Sequence, residues 1–150
     1  MGKVVVFDSG FGSLSIIKAI QRQTKSNIIY FADQKNYPYG RKTKNELRQI
    51  IENSIEQLDS KFNPDLIVLG SNTPSLLFND LFTKYDKLIG VLPPINESIQ
   101  ISKTHSVALL VTKIAAQSNV LKQFLKNIDT KKIKMTVIDS SKLVDLVESG

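Results

Sequence analysis

The 150-residue sequence has no cysteine, a single histidine, and no apolar run long enough to cross a bilayer. Without cysteine there can be no disulfide, thiolate metal site or thiol catalysis in this chain. His105 alone cannot build a histidine metal cluster, so no metal is expected; it precedes the apolar run 107–111 and should lie at the surface or at a strand entry. The first residues do not read as a secretory leader, and none is expected. Met1-Gly2 does not complete an acylation signal, because Val6 stands where Ser or Thr is required. These absences lead to the expectation of a soluble, cytoplasmic protein with no membrane partner.

Basic residues outnumber acidic ones by 20 to 14, for a net charge of +6, but most are lysines scattered along the chain. The densest group, Lys131-Lys132 with Lys134, lacks the arginine and exposed aromatics of a nucleic-acid surface. It reads as a solvated lysine-rich surface, and nucleic acid is not expected as a partner.

Strand and helix patterns alternate along the chain. Residues 3–8 (KVVVFD) predict a buried strand, followed by a glycine-loosened turn and a helix over 14–23 with Ile16, Ile17 and Ile20 inward. A second strand is expected over 27–32, a turn-rich loop over 33–43, and a long amphipathic helix over 44–62. Residues 65–70 and 87–92 predict two more strands, with a helix over 75–85 between them. Pro93-Pro94, neither of which can donate a ladder hydrogen bond, marks a lobe boundary. Beyond it the pattern predicts helices over 95–103, 117–127 and 141–148 and strands over 106–112 and 134–139. The fold class is therefore α/β, a doubly wound parallel sheet with right-handed crossovers. Residues 1–93 form the first lobe, and 94–150 the start of a second that has too few strands for a sheet covered on both faces. The chain is expected to continue beyond Gly150 in a longer parent.

The stretch 65–77 is the chemical centre. A short apolar strand ends at Gly70, Ser71-Asn72-Thr73 makes a polar turn, and a helix follows with Thr73 as the expected N-cap and Pro74 in its first position. Such a turn presents a hydroxyl, an amide and backbone N–H groups at the C-terminal end of a parallel strand, where open α/β sheets place ligands. Read by itself, Ser-Asn-Thr is better taken as a helix cap. Asp8-Ser9-Gly10 follows the first strand and Asn36-Tyr37-Pro38-Tyr39-Gly40 the second, so three strand ends share one rim. Asp8 suits an ammonium group, while hydroxyls and helix N-termini suit carboxylates, which points to a small zwitterion. A dinucleotide site is the competing expectation. Gly10-Phe11-Gly12-Ser13-Leu14-Ser15 matches G-x-G-x-x-G only in part, and Asp8 would set a negative charge beside the pyrophosphate.

The sequence resembles a known family, the glutamate racemases of the aspartate/glutamate racemase superfamily. The resemblance rests on Asp8-Ser9-Gly10-Phe11-Gly12, Tyr30-Phe31-Ala32-Asp33 leading into Tyr37-Pro38-Tyr39-Gly40, then Ser71-Asn72-Thr73, Gly90-Val91, Thr112-Lys113 and Leu146-Val147-Glu148-Ser149-Gly150. It implies two pseudo-symmetric α/β lobes with the site between them. It also implies cofactor-independent inversion of the glutamate α-carbon, supplying D-glutamate for peptidoglycan. By position, Asp8 and Ser9 would meet the amino group, with Asp8 assisting proton transfer. Tyr39, Gly40, Asn72, Thr73 and Thr112 would hold carboxylates, and Glu148 would support a second catalytic residue.

In the family two cysteines act from opposite faces of the substrate. Here Ser71 occupies the first cysteine position, and the segment carrying the second would lie past Gly150. Ala115 stands where a second threonine is frequent, and Pro93 replaces a frequent glutamate. A serine hydroxyl needs a separate base and no histidine is near in sequence, so this chain is not expected to racemise glutamate at a useful rate. The alternatives are an inactive homologue that binds glutamate or aspartate, and a regulatory homologue acting on gyrase. A homodimer is compatible with any of these.

Overall fold

The computed structural model describes residues 1–126 and 133–149, apart from the side chain of Glu148. The Lys131-Lys132 pair and Asn127 lie outside the described residues.

Four parallel strands, β1 (Lys3–Asp8), β2 (Asn27–Ala32), β3 (Leu66–Leu69) and β4 (Leu88–Gly90), form one sheet in the order β2-β1-β3-β4. Alternate residues of β1 feed two different cores. Val5 and Phe7 pack with Ile67, Leu69 and Leu88 against α2 (Lys44–Phe62), through Leu47, Ile51, Ile55 and Leu58. Val4, Val6 and Val68 pack on the other face, against Ile16, Ile17 and Ile20 of α1 (Leu14–Gln23). Helices on both faces are what a run of apolar parallel strands requires, so the α/β fold expected from the sequence is present. The start of α2 is fixed by a capping box. Glu46 N donates to Thr43 Oγ1 at 3.3 Å and Thr43 N donates to Glu46 Oε2 at 2.9 Å.

One expected helix is divided. Residues 75–85 do not form one helix: α3 (Asn72–Leu77) and α4 (Leu81–Lys84) are separated by a turn at Asn79-Asp80. Asn and Asp stabilise turns through their own side chains, and Phe78 at the break stays fully buried, so burial is kept without helical continuity. The N-cap of α3 is Ser71 rather than Thr73, and Pro74 sits in the third helical position. The N–H groups of the first turn have no partner within the helix, so proline loses nothing there. The helix expected over 117–127 is present with a later start, and a short helix that was not expected precedes it. After α5 (Ile95–Ile101) and β5 (Ser106–Val111) come α6 (Lys113–Gln117) and α7 (Asn119–Lys126), interrupted at Ser118. Ser118 is extended and its Oγ accepts a hydrogen bond from Leu121 N at 3.1 Å, so the residue serves as a cap for α7.

β6 (Lys134–Asp139) pairs in parallel with β5, and α8 (Ser141–Ser149) follows. One face of this two-stranded sheet is packed, with Leu109 and Val111 against Ile95, Ala115 and Leu121. His105 is exposed at the entry to β5 with φ 52°, as its position in the sequence suggested. The two sheets meet where α6 packs against α3 and against the 3₁₀ turn Tyr39–Arg41. Arg41 Nη2 also lies 2.5 Å from Asp145 Oδ2 of α8.

Candidate functional site

The ends of β1, β2 and β3 are brought to one rim by bonds that continue the ladder past the strands. Asp33 N donates to Asp8 O at 2.7 Å, and Gly70 N donates to Phe7 O at 2.8 Å. Gly70 is needed at this crossing, since a Cβ there would lie 2.5 Å from Ser13 Cβ. At the rim, Ser9 N donates to Asp8 Oδ1 at 2.6 Å, which orients a carboxylate that is 9% exposed.

The loop after β2 is tied down by Asp33. Its carboxylate accepts from Asn36 Nδ2 at 2.9 and 2.8 Å and from the Tyr39 hydroxyl at 3.1 Å. Burial pushes the Tyr39 phenol far above the usual tyrosine range, and the negative charges of Asp33 and Asp8 push it further. The phenol therefore stays neutral, with its one proton directed at Asp33. The same loop brings Gly40 against the second sheet, where a Cβ would lie 2.6 Å from Thr112 Cγ2. Thr112, at the end of β5, shares a hydrogen bond with Thr73 across the junction, Oγ1 to Oγ1 at 3.0 Å.

Ser71 is half-buried, and its hydroxyl makes no capping bond to α3 although it is the N-cap. Its carbonyl accepts from Ser75 Oγ at 2.7 Å, which leaves the side chain on the cleft side of the turn.

A cleft of about 310 Å³ lies between the two sheets. Asp8, Ser9, Tyr39, Gly40, Ser71, Asn72, Thr73 and Thr112 all line it, so eight of the nine residues singled out in the sequence come together. The ninth, Glu148, has a side chain outside the described residues. Among the described residues that line the cleft, Asp8 carries the one formal charge, and none is Lys, Arg or His. That arrangement suits an ammonium group beside Asp8, with carboxylates held by neutral hydroxyl, amide and backbone donors. The Asp8 carboxylate also lies close to Gly12, where a pyrophosphate would have to sit, which argues against a dinucleotide.

Sequence reasoning missed the wall supplied by the second sheet: Leu110, Val111, Ser140 and, from α8, Leu143, Val144 and Val147. The signal was available, because Thr112 and Ser140 follow strands β5 and β6 as Asp8 and Ser71 follow β1 and β3. It also missed Asp33 and Asn36 as the anchor of the loop. Among the described residues no group of His, Cys, Asp and Glu is placed to hold a metal ion, and no helix is long and apolar enough to cross a membrane.

No protein-family model matches the chain. Individual proteins do. A glutamate racemase of Clostridium perfringens (strain ATCC 13124) is 30% identical over 147 residues, covering 96% of this chain and 56% of that protein. The glutamate racemase of Clostridium botulinum (strain Alaska E43) is 32% identical over 148 residues, covering 96% of this chain and 57% of that protein. Among solved structures, glutamate racemase isoform RacE1 from Bacillus anthracis is 26% identical with a TM-score of 0.82, covering 97% of this chain and 56% of that one. The chain is similar to the glutamate racemases. It spans a little over half the length of the relatives it matches, and that similarity runs across both sheets and the cleft between them.

Proposed function

We propose that this chain belongs to the glutamate racemase family and that its cleft binds an acidic α-amino acid, glutamate or aspartate, without a cofactor. The observation that carries this is the convergence of Asp8, Ser9, Ser71, Asn72, Thr73 and Thr112 on one cleft, in which Asp8 is the one charged group among the described lining residues. Asp8 and Ser9 take the ammonium group. Asn72, Thr73, Thr112 and the main chain at Tyr39-Gly40 take the carboxylates. The Tyr39 side chain acts through Asp33 and fixes the loop, because its proton is already donated. Residues 1–93 and 94–150 act as two lobes with the ligand between them, and Glu148 supports the far side of the cleft. A cytoplasmic location, near the supply of peptidoglycan precursors, is part of the same proposal.

Racemisation removes the α-proton on one face and returns it on the other. Ser71 stands at one of these positions, but an alcohol is far less acidic than a thiol of reference pKa about 8.5 and needs a partner base. Among the described residues neither His nor Lys lines the cleft to act as one. Binding is therefore retained and inversion at this position is lost.

Titration calorimetry of the 150-residue protein with L-glutamate, D-glutamate and L-aspartate tests the reading. Binding at millimolar ligand or tighter is expected. Asp8→Asn should weaken it about 10- to 100-fold, the worth of one hydrogen bond to a charged group. Absence of heat at saturating ligand, or an Asp8→Asn protein that binds as well as the parent, would refute it.

A further inference from the structure

The basic residues of the chain are mostly scattered, but four of them gather around one space. A cavity of about 640 Å³ is lined by the loop after β2, the start of α2 and the start of α6, with Arg41, Lys42, Lys44 and Lys113 around it. Among the described lining residues none is Asp or Glu. The volume is that of a small-molecule site. Gly40 lines both this cavity and the amino-acid cleft, so the two spaces share that residue as a wall.

The placement of these cations works against the fold. α2 and α6 each begin with a lysine, Lys44 and Lys113, at the helix end where the backbone N–H groups make positive charge unfavourable. Arg41 and Lys42 add two like charges beside the first of them. Nearby carboxylates offset this charge only in part, because each is held by another group: Asp145 by Arg41, Glu46 by Thr43, Asp80 by Arg48 and Asp139 by Ser141. Among the described residues, Lys42, Lys44 and Lys113 make no ion pair. The hydroxyls of the lining already donate their protons, Thr43 to Glu46, Ser118 to the Ala115 carbonyl and Ser141 to Asp139. A neutral polyol would thus find no hydroxyl donor here, whereas an anion would find three ammonium groups. Charge set against helix stability is expected where a ligand supplies the compensation.

We propose that this cavity binds a phosphate-bearing anion, with Lys42, Lys44 and Lys113 meeting the phosphoryl oxygens. Lysine binds phosphate as a point charge, and several lysines around one space match a group with two negative charges and several oxygens better than they match a single carboxylate. The site is distinct from the polar end of the amino-acid cleft and does not rest on the function proposed above.

The test is titration of ¹⁵N-labelled protein with diphosphate and, separately, with glycerol 3-phosphate, at an ionic strength fixed with sodium chloride and with no amino acid present. The amides of Lys42, Lys44 and Lys113 should move along one saturating curve with a Kd below about 1 mM, while those of Lys18 and Lys61 stay still. Lys44→Gln with Lys113→Gln should weaken binding at least tenfold, and Lys44→Arg with Lys113→Arg should keep it within about threefold. Both positions are exposed, so the circular dichroism of either variant should match the parent. Tighter binding of diphosphate would identify a free phosphate anion as the occupant, and tighter binding of glycerol 3-phosphate a phosphorylated organic molecule; either order supports recognition of the phosphoryl group. No saturable shift with either probe would overturn the proposal, as would unchanged affinity in the glutamine variant. Equal shifts at Lys18 and Lys61 would overturn it too, by showing attraction to lysines in general. Loss of glutamate binding with phosphate binding intact would count against the proposed function alone.

Discussion

The first and second sheets begin from similar strands and end in different surroundings. KVVVFD in β1 and SVALLV in β5 are both short apolar runs, yet in β1 all residues after Lys3 are buried, whereas in β5 Leu109 and Val111 alone are. The difference lies in what covers them. α1 and α2 close the two faces of the four-stranded sheet, while the β5–β6 pair has helices packed on the Leu109 side and solvent on the Leu110 side. An apolar run therefore reports a strand, and its neighbours decide whether both faces are paid for in buried area.

The largest way to sharpen this contrast is truncation in each sheet. Phe7→Ala, at a fully buried position, should cost about 3–5 kcal/mol of stability. Leu110→Ser, on the open face, should stay within about 0.5 kcal/mol. Urea unfolding of the two variants measures both, and equal losses would break the comparison. Next in size is the junction between the sheets. Gly40→Ala forces a methyl group toward Thr112 Cγ2, 2.6 Å from the new Cβ, and should cost about 1–3 kcal/mol by overpacking. It should weaken amino-acid binding more than Phe7→Ala does, because the loop and Thr112 both line the cleft.

The smallest effects are set by pH. Hydrogen bonds from Thr43 hold the Glu46 carboxyl below its usual range, the Arg48 guanidinium does the same for Asp80, and Ser141 does so for Asp139. A depressed carboxyl stabilises the fold above its unfolded pKa, near 4, and that contribution is lost as pH falls through the folded value. The urea midpoint should thus be level from pH 7 to about 5 and decline below about pH 4. At the alkaline end the sign reverses. The raised Tyr39 phenol contributes stability that is intact below about pH 10 and is lost as pH rises. Absorbance at 295 nm should show Tyr39 ionising only as the chain unfolds, and Tyr39→Phe should remove that component.

Much of this was legible in the sequence because strand, turn and helix signals agreed. The bounds expected for β1, α1, β2 and α2 match those found, each having an apolar period and a clear stop. The break at Asn79-Asp80 was hidden, since the apolar spacing runs straight through it, and the short helix Lys113–Gln117 was hidden because it spans little more than one turn. At the site, strand-end logic brought Asp8, Ser71 and their neighbours together. It did not show that Tyr39 spends its proton on Asp33, or that Thr112 bonds Thr73. Those contacts depend on a buried carboxylate and on how the two sheets meet, and neither has a periodic signature.

The central claim is that the ends of β1, β2 and β3, with Thr112, grip one amino acid. Titration of ¹⁵N-labelled protein with D-glutamate, followed by amide chemical shifts, tests it most directly. The amides of Ser9, Gly40, Ser71, Asn72, Thr73 and Thr112 should move together along one saturating curve, while those on the outer face of α2, such as Asn53 and Gln57, stay still. Unmoved cleft amides at saturating ligand, or shifts confined to the outer face of α2, would contradict the account.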